Sequence, residues 1–444
     1  MSSLWVLAHG MGGRLDLPVS KWQVASAAAV ALVLSFTALG LLWHHPRLRA
    51  AATGRPLPAY WLGHPLDVLV WVGRLLALVV FVVVVSAGFL GQDNTVANIG
   101  PVTVFVVFWV GMSVASVLFG RVWEAISPWE TLGCLIERVR PAVDREIPGW
   151  LASGWAALIP ISVFHWFELA YHDGASPRVL GWWALIYTLG LLAAAWRWGW
   201  PAARRAEGFG VLFGALAELS PLRRGQGEGP RRDGENRLWL RWPFIGVAAS
   251  ETTAATLAVV LAALGGTAFD GVSRTRFWSD VTVGRGGWEL TLFNTIGLVW
   301  VVVLIGAAYH LAGRLGGRIT GERRFADRFG VSLVSILVGY DLAHYFSLLL
   351  LEGQAFTVLA SDPYGEGWNL FGTAENAINW TLVAPGVIGW VQIVSIVVGH
   401  LVGVLVAHDR AVEAFEPAVA LRSQYPLLAV MVLYTMFGLV LMIG

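Results

Sequence analysis

The chain has 444 residues, of which 57% are hydrophobic and only 13% charged, and its formal net charge is +1. A soluble domain carries roughly 25% charged residues, so the composition excludes an ordinary water-soluble protein, and the balanced charge gives no reason to expect a nucleic-acid partner. Cys134 is the single cysteine, which excludes an internal disulfide and a thiolate metal cluster within one chain.

Apolar runs of about 20 residues, the length that crosses a bilayer as a helix, recur from end to end. Ahead of the first run, AHGMGGRLDLP carries His9, Arg14 and Asp16, and MSSLWVLA is too short an apolar stretch to read as a full signal peptide. The spacing predicts ten spans, at 22–43, 67–91, 100–121, 150–171, 179–199, 250–270, 289–312, 328–351, 379–407 and 426–443. Many of the 24 tryptophans, among them Trp22, Trp43, Trp198, Trp278 and Trp380, stand at the ends of these runs, where indole rings favour the headgroup layer.

Arginines gather after the first, third, fifth, seventh and ninth spans, from Arg47 and Arg49 through Arg204, Arg205, Arg223 and Arg224 to Arg410 and Arg422. The positive-inside rule then puts those loops in the cytoplasm and both termini outside. Segment 208–222 is too short to cross and reads as an interfacial helix. The run RRGQGEGPRRDGENR (223–237) reads as a disordered linker. The expected organisation is all-α: a membrane half of five spans over 1–203, a cytoplasmic linker with its interfacial helix over 204–248, and a second membrane half over 249–444.

Ionisable groups inside such spans are costly unless they meet protein or a wet cavity, which makes each a candidate for function. The fourth span reads SVFHWFELAYHDG, with His165, Glu168 and His172 at i, i+3 and i+7 on one helical face. Imidazole and carboxylate at that spacing suit a divalent metal such as zinc or copper. The sixth span ends in GTAFDGVS with Asp270. His310 stands at the inner end of the seventh. The eighth, in GYDLAHYFSLLLLEG, sets Asp341, His344 and Glu352 within about 80° of one another, with Tyr345 on the edge of the stripe. His400 lies in the ninth span between Gly399 and Gly403, which suit close helix contact, and His408 and Asp409 lie at the membrane edge. The competing reading of each is a hydrogen-bonded packing group. No P-loop, dinucleotide fingerprint, HExxH or CxxCH motif is present, which leaves no expectation of a nucleotide or of covalent haem.

Several stretches together carry a family likeness: AHGMGGRLDLP, VVFWVGMSVASVLFGRVWEAISPW, AFDGVS, AHYFSLLLLEGQ, SDPYGEGWNLFGT, GHLVGVLVAHDRA and RSQYP. In these the chain resembles a family of polytopic bacterial membrane proteins, common in actinobacteria, that carry the label fenitrothion hydrolase. The resemblance implies hydrolysis of an apolar phosphotriester-type ester by an enzyme of the bacterial inner membrane. The polar positions it covers are His9, Asp16, Asp270, His344, Asp362, His400, His408 and Asp409. The family's WxEL pattern matches Trp166, Glu168 and Leu169, and leaves His165 and His172 outside it.

The expectations are therefore three. One is a metal-dependent hydrolase with His344, Asp270, His165, His172 and His9 as candidate ligands. In it Glu168 would be a ligand or general base, and Asp341 the group that orients His344. The second is a metal-ion or proton transporter with His344, Asp341, His400 and His310 on its path. The third is an accessory subunit of a membrane complex. The lipid bilayer is a partner in all three.

Overall fold

The computed structural model describes residues 20–57, 63–141, 146–226 and 236–443, so His9, Arg14 and Asp16 lie outside the described residues. The protein is an all-α helical bundle. Its main helices are α1 (Lys21–Leu42), α2 (Gly63–Leu90), α3 (Ile99–Phe119), α4 (Pro128–Val139), α5 (Trp155–Leu169), α6 (Pro177–Trp198), α7 (Gly208–Ala217), α8 (Ala254–Ser273), α9 (Gly287–Thr320), α10 (Ser332–Leu351), α11 (Pro385–Ala414) and α12 (Tyr425–Ile443). Among the described residues nine helices are long and apolar enough to cross a membrane. The chain is thus a multi-pass membrane protein.

The ends of these helices follow local rules. Ser20 opens α1 with a capping box, its Oγ accepting from the Gln23 amide at 3.3 Å while Gln23 Oε1 accepts from the Ser20 amide at 3.0 Å. Pro177 opens α6 behind the Ser176 cap. Large apolar side chains such as Leu292, Ile296, Val299, Trp300 and Val303 cover the open face of α9, as a helix against lipid requires. Helix α8 differs, with 89% of its apolar window buried. It is the central post, packed against α5, α7, α9, α10 and α12.

Helices α10 and α11 cross backbone to backbone. A Cβ on Gly339 would stand 2.6 Å from the Ser395 carbonyl oxygen, and one on Gly399 would stand 2.8 Å from that of Ser335. Only hydrogen fits there. That contact sets the rotation of α10, and with it the direction of Asp341 and His344.

Three expectations change. The fourth span is shorter than predicted. Gly154 takes φ 78°, which breaks the chain between the Gly149–Ala152 turn and α5. Segment 208–217, expected as part of an interfacial helix over 208–222, forms α7 with Phe209, Leu212, Phe213 and Leu216 buried against the bundle beside α3 and α5. Its bulky apolar residues form one buried stripe at i, i+3 and i+4 spacing, and Gly210, Gly214 and Ala215 lie on the other side. The predicted linker 223–237 begins and ends in strands, β2 (Leu222–Gln226) and β3 (Asn236–Leu240). They pair antiparallel with each other, and β1 (Arg55–Pro56) pairs on the far side of β3. Its middle, 227–235, lies outside the described residues.

Arginines of several loops gather at one end of the bundle, the end that the positive-inside rule assigns to the cytoplasm. Arg74, Arg121, Arg204, Arg223, Arg224 and Arg241 line one recess there. Asp409 serves this end structurally. It accepts from the Trp43 indole at 2.9 Å, the Arg47 amide at 2.7 Å and the Leu48 amide at 3.1 Å, tying α11 to the short helix Leu48–Ala52. His408 beside it faces the Trp43 carbonyl at 3.1 Å. Asp409→Ala leaves two amides and an indole without their acceptor. It is expected to cost about 3 kcal/mol, read as a lower unfolding temperature in detergent.

Candidate functional site

The half of the bundle away from that arginine-rich end holds a buried acid and imidazole cluster on α5, α8 and α10. His344 Nε2 is hydrogen-bonded to Asp270 Oδ2, both side chains being 1% exposed. On its other side His344 Nδ1 faces Met442 Sδ of α12 at 3.4 Å. Arg274, one turn along α8, lies 3.3 Å from Asp270 and is the member that reaches the surface. The sequence puts Asp270 and Arg274 at i and i+4, so one helix carries both the acid and its basic cover.

Glu168 on α5 approaches the same place. Its Oε1 accepts from the Tyr345 hydroxyl at 3.5 Å, while Oε2 is buried without a partner. Both Asp270 and Asp341 lie within electrostatic reach of it. Tyr345 also meets the Trp109 indole. Asp341 faces Thr267 of α8 and keeps Oδ1 unpartnered. His165 holds the Ile161 carbonyl through Nδ1 at 2.8 Å, and its Nε2 is also unpartnered. Its ring lies against Gly266, where any Cβ would collide with it. An unpaired buried polar atom costs roughly 1–3 kcal/mol, and three of them stand within this one cluster.

Trp109 belongs to an unusual stretch. Within α3, residues Val102–Gly111 form a π-helix. Such windings occur frequently at functional sites. Here the winding brings Trp109 edge-on to His165, with ring centroids 5.2 Å apart.

The predicted metal trio does not assemble. Helix α5 ends at Leu169, because the chain doubles back with Gly174 pressed on the Phe167 carbonyl. His172 is thereby carried off the face of His165 and Glu168. It binds Thr291 Oγ1 through Nδ1 at 2.8 Å and stands beside Trp288. His9 lies outside the described residues. Both nitrogens of His344 are engaged. Among the described residues no group of three His, Cys, Asp or Glu side chains is placed to hold a metal ion. A zinc centre takes three or four such ligands, and the described residues by themselves do not supply that set.

The two path histidines separate. His400 is fully buried between α10 and α11, with Nδ1 on the Ile396 carbonyl at 2.8 Å and Nε2 unpartnered. Tyr340 and Tyr434 lie 5.9 Å and 6.2 Å from it, ring to ring. These tyrosines stand between it and the outer cluster, Tyr434 also being close to Asp341. His310 is exposed on α9, in a recess with Arg314 and Arg318, away from the interior. Asp362 is a turn residue, its oxygens accepting the Glu366 amide at 2.9 Å and the Gly367 amide at 2.7 Å. Glu352 closes the outer end of α10, nearly buried, with Oε2 unpartnered.

One acid escaped the sequence reading. Glu207, between α6 and α7, is buried at the start of α7. Oε2 accepts from the Trp123 indole at 3.2 Å and Oε1 from the Tyr187 hydroxyl at 3.3 Å. Burial pushes its carboxyl up to about 7. The available signal was a lone Glu directly before the apolar run GFGVLFGALA. Because the folded value lies above the ordinary 4.5, Glu207 leaves stability intact below that value and lowers it as pH rises toward 7. The loss is roughly 3 kcal/mol. Wild-type protein is therefore expected to melt lower at pH 8 than at pH 5 through this group. Glu207→Gln should flatten that difference, and an unchanged slope in the variant would refute the assignment.

No family model, no curated protein and no solved structure matches the chain.

Proposed function

We propose that this chain is a multi-pass protein of a bacterial inner membrane that moves protons, or couples their movement to a second ion, through the Asp270–His344 cluster. The carrying observation is the buried Asp270–His344 pair ringed by unpaired Glu168 Oε2, His165 Nε2 and Asp341 Oδ1. Such groups within spans commonly form proton relays. Arg274 gives the cluster its link to the outer surface, and His400 with Tyr340 and Tyr434 extends the polar series inward. Imidazole and carboxyl groups exchange protons near neutral pH with small driving force. The test is proton flux into proteoliposomes carrying an internal pH dye. Wild type is expected to dissipate an imposed pH gradient, and Asp270→Asn and Glu168→Gln are expected to stop it. Equal rates in empty and loaded vesicles would remove the proposal.

A second reading rests on the place of the cluster near the outer end. There the free Glu168 Oε2 is available to take a proton from water attacking an apolar ester that has entered from lipid. This is the phosphotriester hydrolase reading that the family likeness implies, here without a metal. Turnover of a nitrophenyl phosphotriester by purified protein, lost in Glu168→Gln, would favour it over transport.

A further inference from the structure

On the inner side, a cavity of about 320 Å³ opens between α4, α7 and the inner ends of α8 and α10. Its wall includes Glu207, and its floor includes Thr256 of α8 and Val334 of α10. Those two helices carry Asp270, Asp341 and His344 further along. Val334 is about 10 Å below Asp341 along the helix axis. Between the cavity and the outer cluster stands a set of packed rings. Phe209 lies 4.8 Å from Phe108 and 5.5 Å from Phe164, and Trp109 lies 4.6 Å from Phe164. Two of these rings, Phe108 and Trp109, sit on the π-helical stretch of α3.

Glu207 is set apart from the charged groups around it. Its direct partners are neutral donors: the Trp123 indole, the Tyr187 hydroxyl from α6, and the Phe209 and Gly210 amides of α7. The charges lining the cavity are committed to one another. Arg121 binds Glu124 at 2.7 Å and Glu218 at 3.0 Å, and Arg204 lies 3.5 Å from Glu130. Arg205 donates to the Ala152 carbonyl at 3.1 Å. Glu251 lies at the rim. A buried carboxyl bordering a polar cavity, with burial favouring its neutral form and four neutral donors favouring its carboxylate, has the form of a proton-exchange station rather than a structural ion pair.

We propose that this cavity is the inner vestibule of the protein and that Glu207 is the group that takes up or releases protons on the cytoplasmic side. The aromatic rings on α3, α5 and α7 would form the septum that separates it from the Asp270–His344 cluster. The proposal rests on the transport reading above and extends it to a second, inward-facing site. The step is a proton transfer between water in the vestibule and the Glu207 carboxylate, with no other bond made or broken.

Two variants test it. Glu207→Gln removes the exchangeable proton. Gly214→Trp fills the vestibule while keeping the carboxyl, and a Cβ at Gly214 meets only Glu124 Oε1, at 3.9 Å. In reconstituted vesicles of known orientation, Glu207→Gln is expected to slow proton flux on the order of 100-fold, the scale at which a positioned proton carrier acts. Gly214→Trp should slow it too, and Glu207→Asp should recover part of it. Infrared difference spectra between acid and neutral buffer should show a carboxyl band that responds to the inner-face buffer, survives in Gly214→Trp and vanishes in Glu207→Gln. Wild-type flux in Glu207→Gln, with flux still lost in Asp270→Asn, overturns the vestibule and leaves the outer cluster standing. If wild type carries no flux at all, the transport reading fails. The vestibule is then decided by the infrared band: its presence from the inner face supports proton exchange at Glu207, and its absence overturns it.

Discussion

Asp270→Ala is expected to destabilise the protein by about 3–5 kcal/mol, the scale for removing one partner of a buried pair. The substitution leaves the His344 Nε2 position facing a void and strips Arg274 of its acceptor. Arg274 is partly exposed and turns to water at little cost. His344 has no such outlet, because α12 closes the other side with Met442. The double variant Asp270→Leu with His344→Leu removes both polar partners. It is expected to recover part of the loss, since an apolar pair of similar volume needs no hydrogen bond. The check is a double-mutant cycle on thermal unfolding in detergent. Strictly additive losses would mean that Asp270 and His344 do not act as a unit.

Gly339→Leu should be nearly as damaging, and by a different route. A Cβ at Gly339 stands 2.6 Å from a backbone oxygen of α11, so relief requires the two helices to separate. Overpacking of that kind costs about 3 kcal/mol. Separation also swings Asp341 and His344 away from α8, so proton flux should fall with stability. Gly306→Leu on α9 is the control, because nothing lies within 4 Å of a Cβ there. It is expected to fold as wild type or slightly better, as replacing a helical glycine does. Equal losses at both positions would show that the crossing of α10 and α11 has no special role.

Parts of the outer cluster were legible in the order of residues. The helical period alone put Asp341 and His344 on one stripe, and the cost of charge in hydrocarbon made them suspect. Asp270 at the outer end of its span had the right depth to meet them. The trio of His165, Glu168 and His172 failed for a local reason. Its i+7 member requires an unbroken helix, and α5 stops at Leu169 when Gly174 lets the chain fold back on Phe167. His165 and Glu168, one turn apart within α5, stayed together.

Other features had no signature. The sequence VTVFVVFWVG reads like any apolar span, yet it winds as a π-helix that aims Trp109 at His165 and Tyr345. The segment GFGVLFGALA has the length of a surface helix and is instead buried, because neighbouring helices supply the apolar contacts that lipid would otherwise supply. His400 and His310 look alike as inner histidines. One is sealed between two helices and the other faces outward, a difference set by which face α11 and α9 turn to their neighbours.

By itself the order of residues determined that this is a multi-pass helical membrane protein and which residues are too polar for lipid. Those follow from local quantities: run length, period and the distribution of arginine. Tertiary structure alone decided that Asp270 meets His344, that Glu168 and His165 keep free atoms beside them, and that Glu207 borders a cavity of its own. These depend on the rotation of each helix about its axis. That rotation is set by close contacts such as Gly339 on Gly399 between residues far apart in the chain, and no local pattern encodes it.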